Sequence, residues 1–577
     1  MEFKYIEDVI QGIQLDLVVC KTISQRYKTI LYQHEGKLSF SNTKIGDITS
    51  LKIKFDNFID YCKNQKPDLV ITPEYSTRLE SINELITNKK NAIKKGALWV
   101  LGSESITMAE LDNMKNELEN NSTYFHYDFK LDCSHGNFLD PVFYLFYGKL
   151  NNEDKLFVIV QFKNYHMGVW SGGEIESNNM IQGRELYILR NSPESIFVLT
   201  LICSEAMNII DEGRKITHFD HLPFLIINIQ CNSAPLHRNF VDFRKYILVK
   251  NCKEIIVLNW HINSLLDRHK MFENTSPRSS IYYISNEFNF DDEKNYCSCY
   301  KKGVYFFKYK QSDRYNFIFN PYMHILEFRN QPVHINNVQA VQKRRNGILM
   351  DNCYLIKKNT HELVRIKKNL LGGSTNLLFK YYSKRVNYLY DRNVEILNKE
   401  RLINLSLGLL DIKKGTNWYK NSYINTLTID LDTETNKSFA LCEKGNSSQM
   451  YYVSEIRVLC DLISDKNELP HSLRSIYDMS IPVLGFESNS IQDNYMYNII
   501  DDKTQKSLNV CLVILNESYD ELNANKQFES IKNSLIGNNF SRLVIYYRKR
   551  GVINYIHQDS LPIYDATSFS NNSIFKD

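Results

Sequence analysis

Three apolar, β-branched runs constrain this chain most, because each ends in a reactive side chain. Leu69-Val70-Ile71-Thr72-Pro73 leads to Glu74, Val158-Ile159-Val160-Gln161-Phe162 leads to Lys163, and Val198-Leu199-Thr200-Leu201-Ile202 leads to Cys203. Runs of this kind read as strands buried on both faces. In an open α/β sheet, the residues just past the strand C-termini line the functional crevice. A carboxylate, an ammonium and a thiol delivered in that way point to chemistry built on a nucleophilic cysteine.

The surrounding sequence has an α/β rhythm. Leu15–Cys20 reads as a first strand. Leu51, Phe55, Phe58, Ile59 and Cys62 share a helical face that stops near Lys66-Pro67, and Asp68–Thr72 is the next strand. Ala97–Leu101 follows as another. Residues 105–140 are polar, helical in spacing early and loop-like late. Phe143–Tyr147 with Phe157–Phe162, and Leu186–Leu189 with Ile196–Ile202, are expected to be antiparallel pairs. Ser204–Lys215 and Asn239–Asn251 read as helices; Leu222–Ile229, Glu254–Trp260, Ile281–Ser285 and Val304–Tyr309 read as strands. Past residue 346 the pattern becomes basic, Tyr-rich and helix-compatible. From about 426 strand signals return at Thr426–Leu431, Asn509–Leu515 and Arg542–Tyr547, with a helix at Lys526–Leu535. The expected domains are therefore 1–345, a helical connector 346–425, and a small α/β accessory domain 426–577.

Composition narrows the class. There is no apolar run long enough to cross a membrane as a helix, and Met1–Asp8 has no signal-peptide core. The twelve cysteines include no CxxC pair. A zinc site or disulfide scaffold is thus not expected, and a reducing, cytoplasmic setting is. Residues 341–425 hold 17 Lys/Arg against 6 Asp/Glu, so that segment carries +11 and the rest of the +4 chain carries −7. Within it Lys380-Tyr381-Tyr382-Ser383-Lys384-Arg385 interleaves cations with rings. That pattern is compatible with nucleic-acid binding, but a solvated helix face docked on the acidic remainder is the favoured account.

A cysteine thiol becomes a strong nucleophile only as the thiolate. Cys203 lies between a strand and a helix beginning near Ser204, and the partial positive charge of a helix N-terminus favours the thiolate. Glu74 is placed to take the thiol proton, Lys163 to stabilise charge on the attacked group, and the Ser204 backbone N–H to donate to an oxyanion. Tyr75, Tyr165 and Trp170 lie near these positions in sequence and are candidates to line the substrate.

These residues resemble the nitrilase, or carbon–nitrogen hydrolase, superfamily over about residues 10–345. Pro73-Glu74, the glycine-bearing Val100-Leu101-Gly102-Ser103-Glu104, Phe162-Lys163, and Cys203 with Glu205 two residues on are similar to the family's motifs in the family's order. Asn228, Arg244, Asn251 and Asn259 resemble its downstream polar marks, and the resemblance implies that the loop Asn232-Ser233-Ala234-Pro235 contacts the substrate, with Asn232 lining it. The resemblance implies an αββα sandwich, homodimers or higher homo-oligomers, and no metal or organic cofactor. It also implies amide or nitrile hydrolysis through a Glu-Lys-Cys triad and a thioester. Many members carry a further glutamate after the lysine; Glu174 and Glu176, displaced by a few residues from the usual spacing, are the candidates, and Glu174 is preferred. Amide is favoured over nitrile. The competing reading is a nitrilase-like scaffold or regulatory component, by analogy one of a bacterial defence system, using the C-terminal extension to bind a protein partner.

Overall fold

The computed structural model describes residues 2–365 with breaks at 22–25, 49–51, 89, 121, 168–172, 214–221, 236, 250–252, 267–268, 271–277, 283–302, 310–314, 320–322 and 331–347, and then residues 433–440, 482–484, 499–501, 511–514, 520–532 and 543–557. The chain divides into two compact units, the first covering Met1–Lys368 with Asp432–Glu434.

Two mixed sheets form the first unit. One runs in the order Leu363–Arg365, Ile348–Ile356, Ile325–Asn330, Lys28–Tyr32, Leu69–Thr77, Leu98–Ser103, Pro141–Leu150, Glu153–Phe162, Thr123–Tyr127. The other contains Glu2–Tyr5, Glu185–Leu189, Phe197–Ile202, Phe224–Ile229, Lys253–Leu258, Ser279–Tyr282, Tyr315–Phe319 and Gly303–Tyr309 in that order. Both have a parallel centre. Leu69–Thr77 lies parallel to Lys28–Tyr32 and Leu98–Ser103; Phe197–Ile202 lies parallel to Phe224–Ile229, which is parallel to Lys253–Leu258. Near-continuous apolar strands follow from this, since a parallel sheet is buried on both faces.

Each sheet is covered by helices on its outer face. Lys52–Gln65, Leu79–Thr87 and Met108–Leu118 pack Phe55, Phe58, Ile59, Ile82, Leu85, Leu111 and Met114 against Val70, Trp99, Leu145 and Val158 of the first sheet. Glu205–Gly213 and Arg238–Val249 pack on the second. The inner faces meet each other. Gln161 donates to the Thr200 carbonyl at 3.1 Å and accepts from Tyr187 N–H at 2.9 Å. Gln33 donates to Ser279 Oγ at 3.0 Å. The layering is helix, sheet, sheet, helix, a mixed α/β architecture.

The two expected antiparallel pairs are present, Pro141–Leu150 with Glu153–Phe162 and Glu185–Leu189 with Phe197–Ile202. Two readings change. Leu15–Cys20 is not a strand: Val18–Cys20 is a 3-10 turn whose backbone bonds to loops, Leu17 N–H to Asn191 Oδ1 and Val18 N–H to the Gly96 carbonyl. Lys28–Tyr32 takes the ladder position instead. Ile348–Ile356, placed in the helical connector by its basic setting, pairs with Ile325–Asn330 and belongs to the first sheet. Most of the rest of 346–425, including the cation–aromatic run, lies outside the described residues, as does Thr426–Leu431. In the second unit Cys511–Ile514 runs parallel to Leu543–Lys549, which turns back into Val552–His557, and Glu521–Lys532 is helical.

Candidate active site

Glu74 reaches the interior because its strand breaks register just before it. Pairing of Leu69–Thr77 with Leu98–Ser103 is regular to Thr72↔Leu101 and resumes at Thr77↔Ser103, leaving residues 73–76 bulged. Pro73 has no N–H to give a ladder, so a bulge suits it. Tyr75 sits at φ +57°, an uncommon conformation for a bulky residue. Ser76 Oγ ties back to the Pro73 carbonyl at 2.6 Å, and Trp260 Nε1 donates to the Glu74 carbonyl at 2.6 Å. Gly102 makes the bulge possible: a Cβ there would lie 2.2 Å from the Pro73 carbonyl oxygen.

Lys163 follows the strand Glu153–Phe162, whose last residue pairs with Pro141. Its N–H donates to the Asp140 carbonyl at 2.9 Å, and its own carbonyl accepts from Gly183 N–H at 2.8 Å. Cys203 follows the strand Phe197–Ile202 at φ +41°, with its N–H on the Ile229 carbonyl at 2.8 Å, and the helix begins at Glu205. A non-glycine residue held in this region between a strand and a helix stores strain that the surroundings must hold. Glu205 does part of that work. One carboxylate oxygen accepts from Ile202 N–H at 2.7 Å, the other from Asn164 N–H and Nδ2 at 2.7 Å each, so it joins the cysteine loop to the lysine loop. Burial pushes the Glu205 carboxyl up to about 7, against the lowering effect of those donors.

The three sequence candidates converge. Lys163 Nζ donates to Glu74 Oε1 at 2.7 Å, and both side chains are essentially inaccessible. Glu74 Oε2 accepts from Cys231 N–H at 2.7 Å. Burial would lower the Lys163 ammonium, but Glu176, Glu74 and Asp140 outweigh it and hold the group charged, with Cys203 adding to the effect. Burial, then the Glu74 charge, push the Cys203 thiol well up, while Lys163 pulls it down. Removal from water thus acts against the partial charge that the helix N-terminus offers a thiolate.

The acid beside Lys163 is Glu176, not Glu174. Glu176 accepts from Lys163 Nζ at 3.0 and 2.9 Å, from the Tyr75 hydroxyl at 3.0 Å and from Met167 N–H at 2.7 Å. Glu174 is on the exposed side of the same short helix, Gly173–Asn179. Asp140, unremarked in the sequence, is buried with Oδ2 3.5 Å from Lys163 Nζ. Ser204 Oγ donates to the Tyr165 carbonyl at 2.5 Å, fixing the loop after the cysteine. Tyr75 is fully buried with its ring 5.7 Å from the Lys163 ammonium. The Asn232 backbone is held by the Asn259 side chain, its N–H donating at 3.1 Å and its carbonyl accepting at 2.6 Å, while Asn232 Oδ1 accepts from Ala234 N–H at 2.8 Å. Trp170 lies outside the described residues.

Two groups among the described residues have metal-ligand spacing. Glu74, Asp140 and Glu176 have carboxylate oxygens within 4.8 Å of one another, but the Lys163 ammonium already bonds to two of these acids. Glu35, His261 and His324 form the other. There His324 Nδ1 accepts from Ile356 N–H at 3.1 Å, so Nε2 carries the proton and donates to Glu35 at 2.8 Å, leaving no lone pair for an ion.

No family model matches the chain, and no curated protein matches it. Solved structures similar to it include an amidase from Nesterenkonia sp., at 10% identity over 42% of this chain and 79% of that one, TM-score 0.24. A mutant of the Nesterenkonia AN1 amidase "from the nitrilase superfamily" matches at 10% identity over 46% and 85%, TM-score 0.25. A further mutant of that amidase, showing Michael addition of acrylamide at its active site cysteine, matches at 10% identity over 44% and 85%, TM-score 0.25.

Proposed function

We propose that the first unit hydrolyses the carbon–nitrogen bond of a small amide through a thioester on Cys203. The observation that carries this reading is the buried Lys163 ammonium, bonded to Glu74 at 2.7 Å and to Glu176 at 2.9 Å, acting on a thiol held at a strained strand–helix junction. Because burial and the Glu74 charge raise the thiol, proton transfer to Glu74 accompanies attack rather than preceding it. The sulfur bonds to the carbonyl carbon, and the oxyanion that forms is met by Lys163 and by the Ser204 N–H. One such donor contributes about 3–4 kcal/mol to lowering the barrier. Glu74 returns the proton to the leaving nitrogen as the C–N bond breaks. It then takes a proton from water as water attacks the thioester, and the acid departs with the thiol restored. Tyr75 and Glu176 hold the ammonium in place throughout.

The test is ammonia release from a panel of primary amides and nitriles. Wild type is expected to release ammonia from a subset of the amides, and Cys203→Ala and Lys163→Ala from none. Release by Cys203→Ala at the wild-type rate would remove the reading.

A further inference from the structure

The buried cluster holds more acid than its single cation can balance. Glu74, Asp140 and Glu176 surround Lys163, and all four side chains are at most 1% exposed. Three carboxylates this close cannot all be charged away from water. The hydrogen bonds say which one is neutral. Glu176 accepts from Lys163, Tyr75 and Met167, and Glu74 from Lys163 and Cys231, as ionised acceptors do. Neither oxygen of Asp140 has a protein donor, and its contact with the ammonium is the longest of the three, 3.5 Å against 2.7 and 2.9 Å. A buried carboxyl with no donors and a carboxylate beside it is a carboxylic acid with a proton to give.

We propose that Asp140 is a positioning residue, a neutral acid that donates its hydrogen bond to Glu74 and so orients that carboxylate towards Cys203. The inference rests on the reading of Glu74 as the base. Burial, followed by the Glu74 charge, hold the Asp140 carboxyl well above the usual range, while Lys163 opposes them. The groups facing it are Glu74 from the bulged strand, Lys163 opposite in the ladder and Glu176 from the short helix. The main chain keeps it there, because the Asp140 carbonyl accepts the Lys163 N–H at 2.9 Å. One residue therefore orders the lysine through its backbone and the glutamate through its side chain. An amide at this position would keep the donor; a methyl group would leave Glu74 without it.

Infrared difference spectroscopy on the full chain tests the proton directly. Wild type minus Asp140→Asn at neutral pH is expected to show a protonated-carboxyl carbonyl band. In a Glu74→Gln background that band should change, moving to higher frequency because a neutral amide is the weaker acceptor, or fading because Asp140 ionises once the neighbouring charge is gone. Absence of the band, or no response to Glu74→Gln, overturns the proposal. Labelling of Cys203 by a haloacetamide supplies the second readout. Asp140→Asn should react at near the wild-type rate, and Asp140→Ala roughly 100-fold more slowly, as displaced catalytic groups do. Equal losses in both variants would overturn it too. If Asp140→Ala does not fold, the spectrum and Asp140→Asn still decide. Failure of the parent reading looks different: Glu74→Gln would then leave Cys203 labelling unchanged, whatever the infrared band does.

Discussion

Replacing Glu176 by glutamine separates a structural acid from a bystander two residues away. The carboxylate receives four hydrogen bonds, two on each oxygen: Tyr75 and Lys163 on one, Lys163 and Met167 on the other. Glutamine keeps the shape, but only its carbonyl oxygen can accept. Its NH2 must face either the Tyr75–Lys163 side, where the hydroxyl can turn to accept it but the ammonium cannot, or the Lys163–Met167 side, where both neighbours are donors. An ammonium bond is lost in either orientation, and the Met167 bond with it in the second. A bond to a charged group is worth about 1.5–3 kcal/mol, and a buried donor left unmet costs about 1–3 kcal/mol. Together these give about 3–5 kcal/mol, the range measured when one partner of a buried ion pair is removed. Urea denaturation of Glu176→Gln should show that loss, and Cys203 labelling should slow in the same variant as the ammonium loses its tether. Glu174→Gln, on the exposed side, should stay within about 0.5 kcal/mol of wild type. Equal stability of the two variants would refute the reasoning.

Gly102→Ala puts a Cβ within 2.2 Å of the Pro73 carbonyl oxygen and 2.9 Å of Glu74 Cα; overpacking of about 1–3 kcal/mol and slower Cys203 labelling are expected, and a variant unchanged in both would remove the bulge argument. Glu205 gives a pH signature. Its carboxyl is raised from 4.5 to about 7, so between those values the folded chain holds a proton that the unfolded chain has lost. This contribution to stability is complete below about 4.5 and is lost as pH rises to about 7, by about 3 kcal/mol. Glu205→Gln should lack that component of the slope when urea midpoints are compared across the window; identical slopes would contradict it.

Much of the site was legible because each reactive residue ends its own apolar run: burial of the run fixes where Glu74, Lys163 and Cys203 emerge. What depended on distant pairing was not. Asp140 gains its place only from the antiparallel register that sets Pro141 opposite Phe162, and no local pattern marks it. The choice between Glu174 and Glu176 was open to a finer reading. Gly173, Glu176 and Met180 recur at helical spacing and are the buried positions of that turn, a signal hidden in a helix of only 7 residues. The balance of influences on the Cys203 thiol is only half legible, because a helix terminus is visible in sequence while complete burial beside a carboxylate is not. Leu15–Cys20 has strand composition, yet its donors are taken by Asn191 and Gly96, partners far along the chain or in a loop.

The most direct measurement is the rate at which a small haloacetamide labels each of the twelve cysteines of the folded chain, located by mass spectrometry. Among the described cysteines, burial alone predicts that exposed Cys133 reacts first and that Cys203, at 1% exposure, hardly reacts. An assembled nucleophile predicts the reverse: Cys203 labelled ahead of Cys133, with that preference abolished in Glu74→Ala and Lys163→Ala. Labelling that follows exposure, with Cys203 as inert as buried Cys20 and Cys62, would contradict the account.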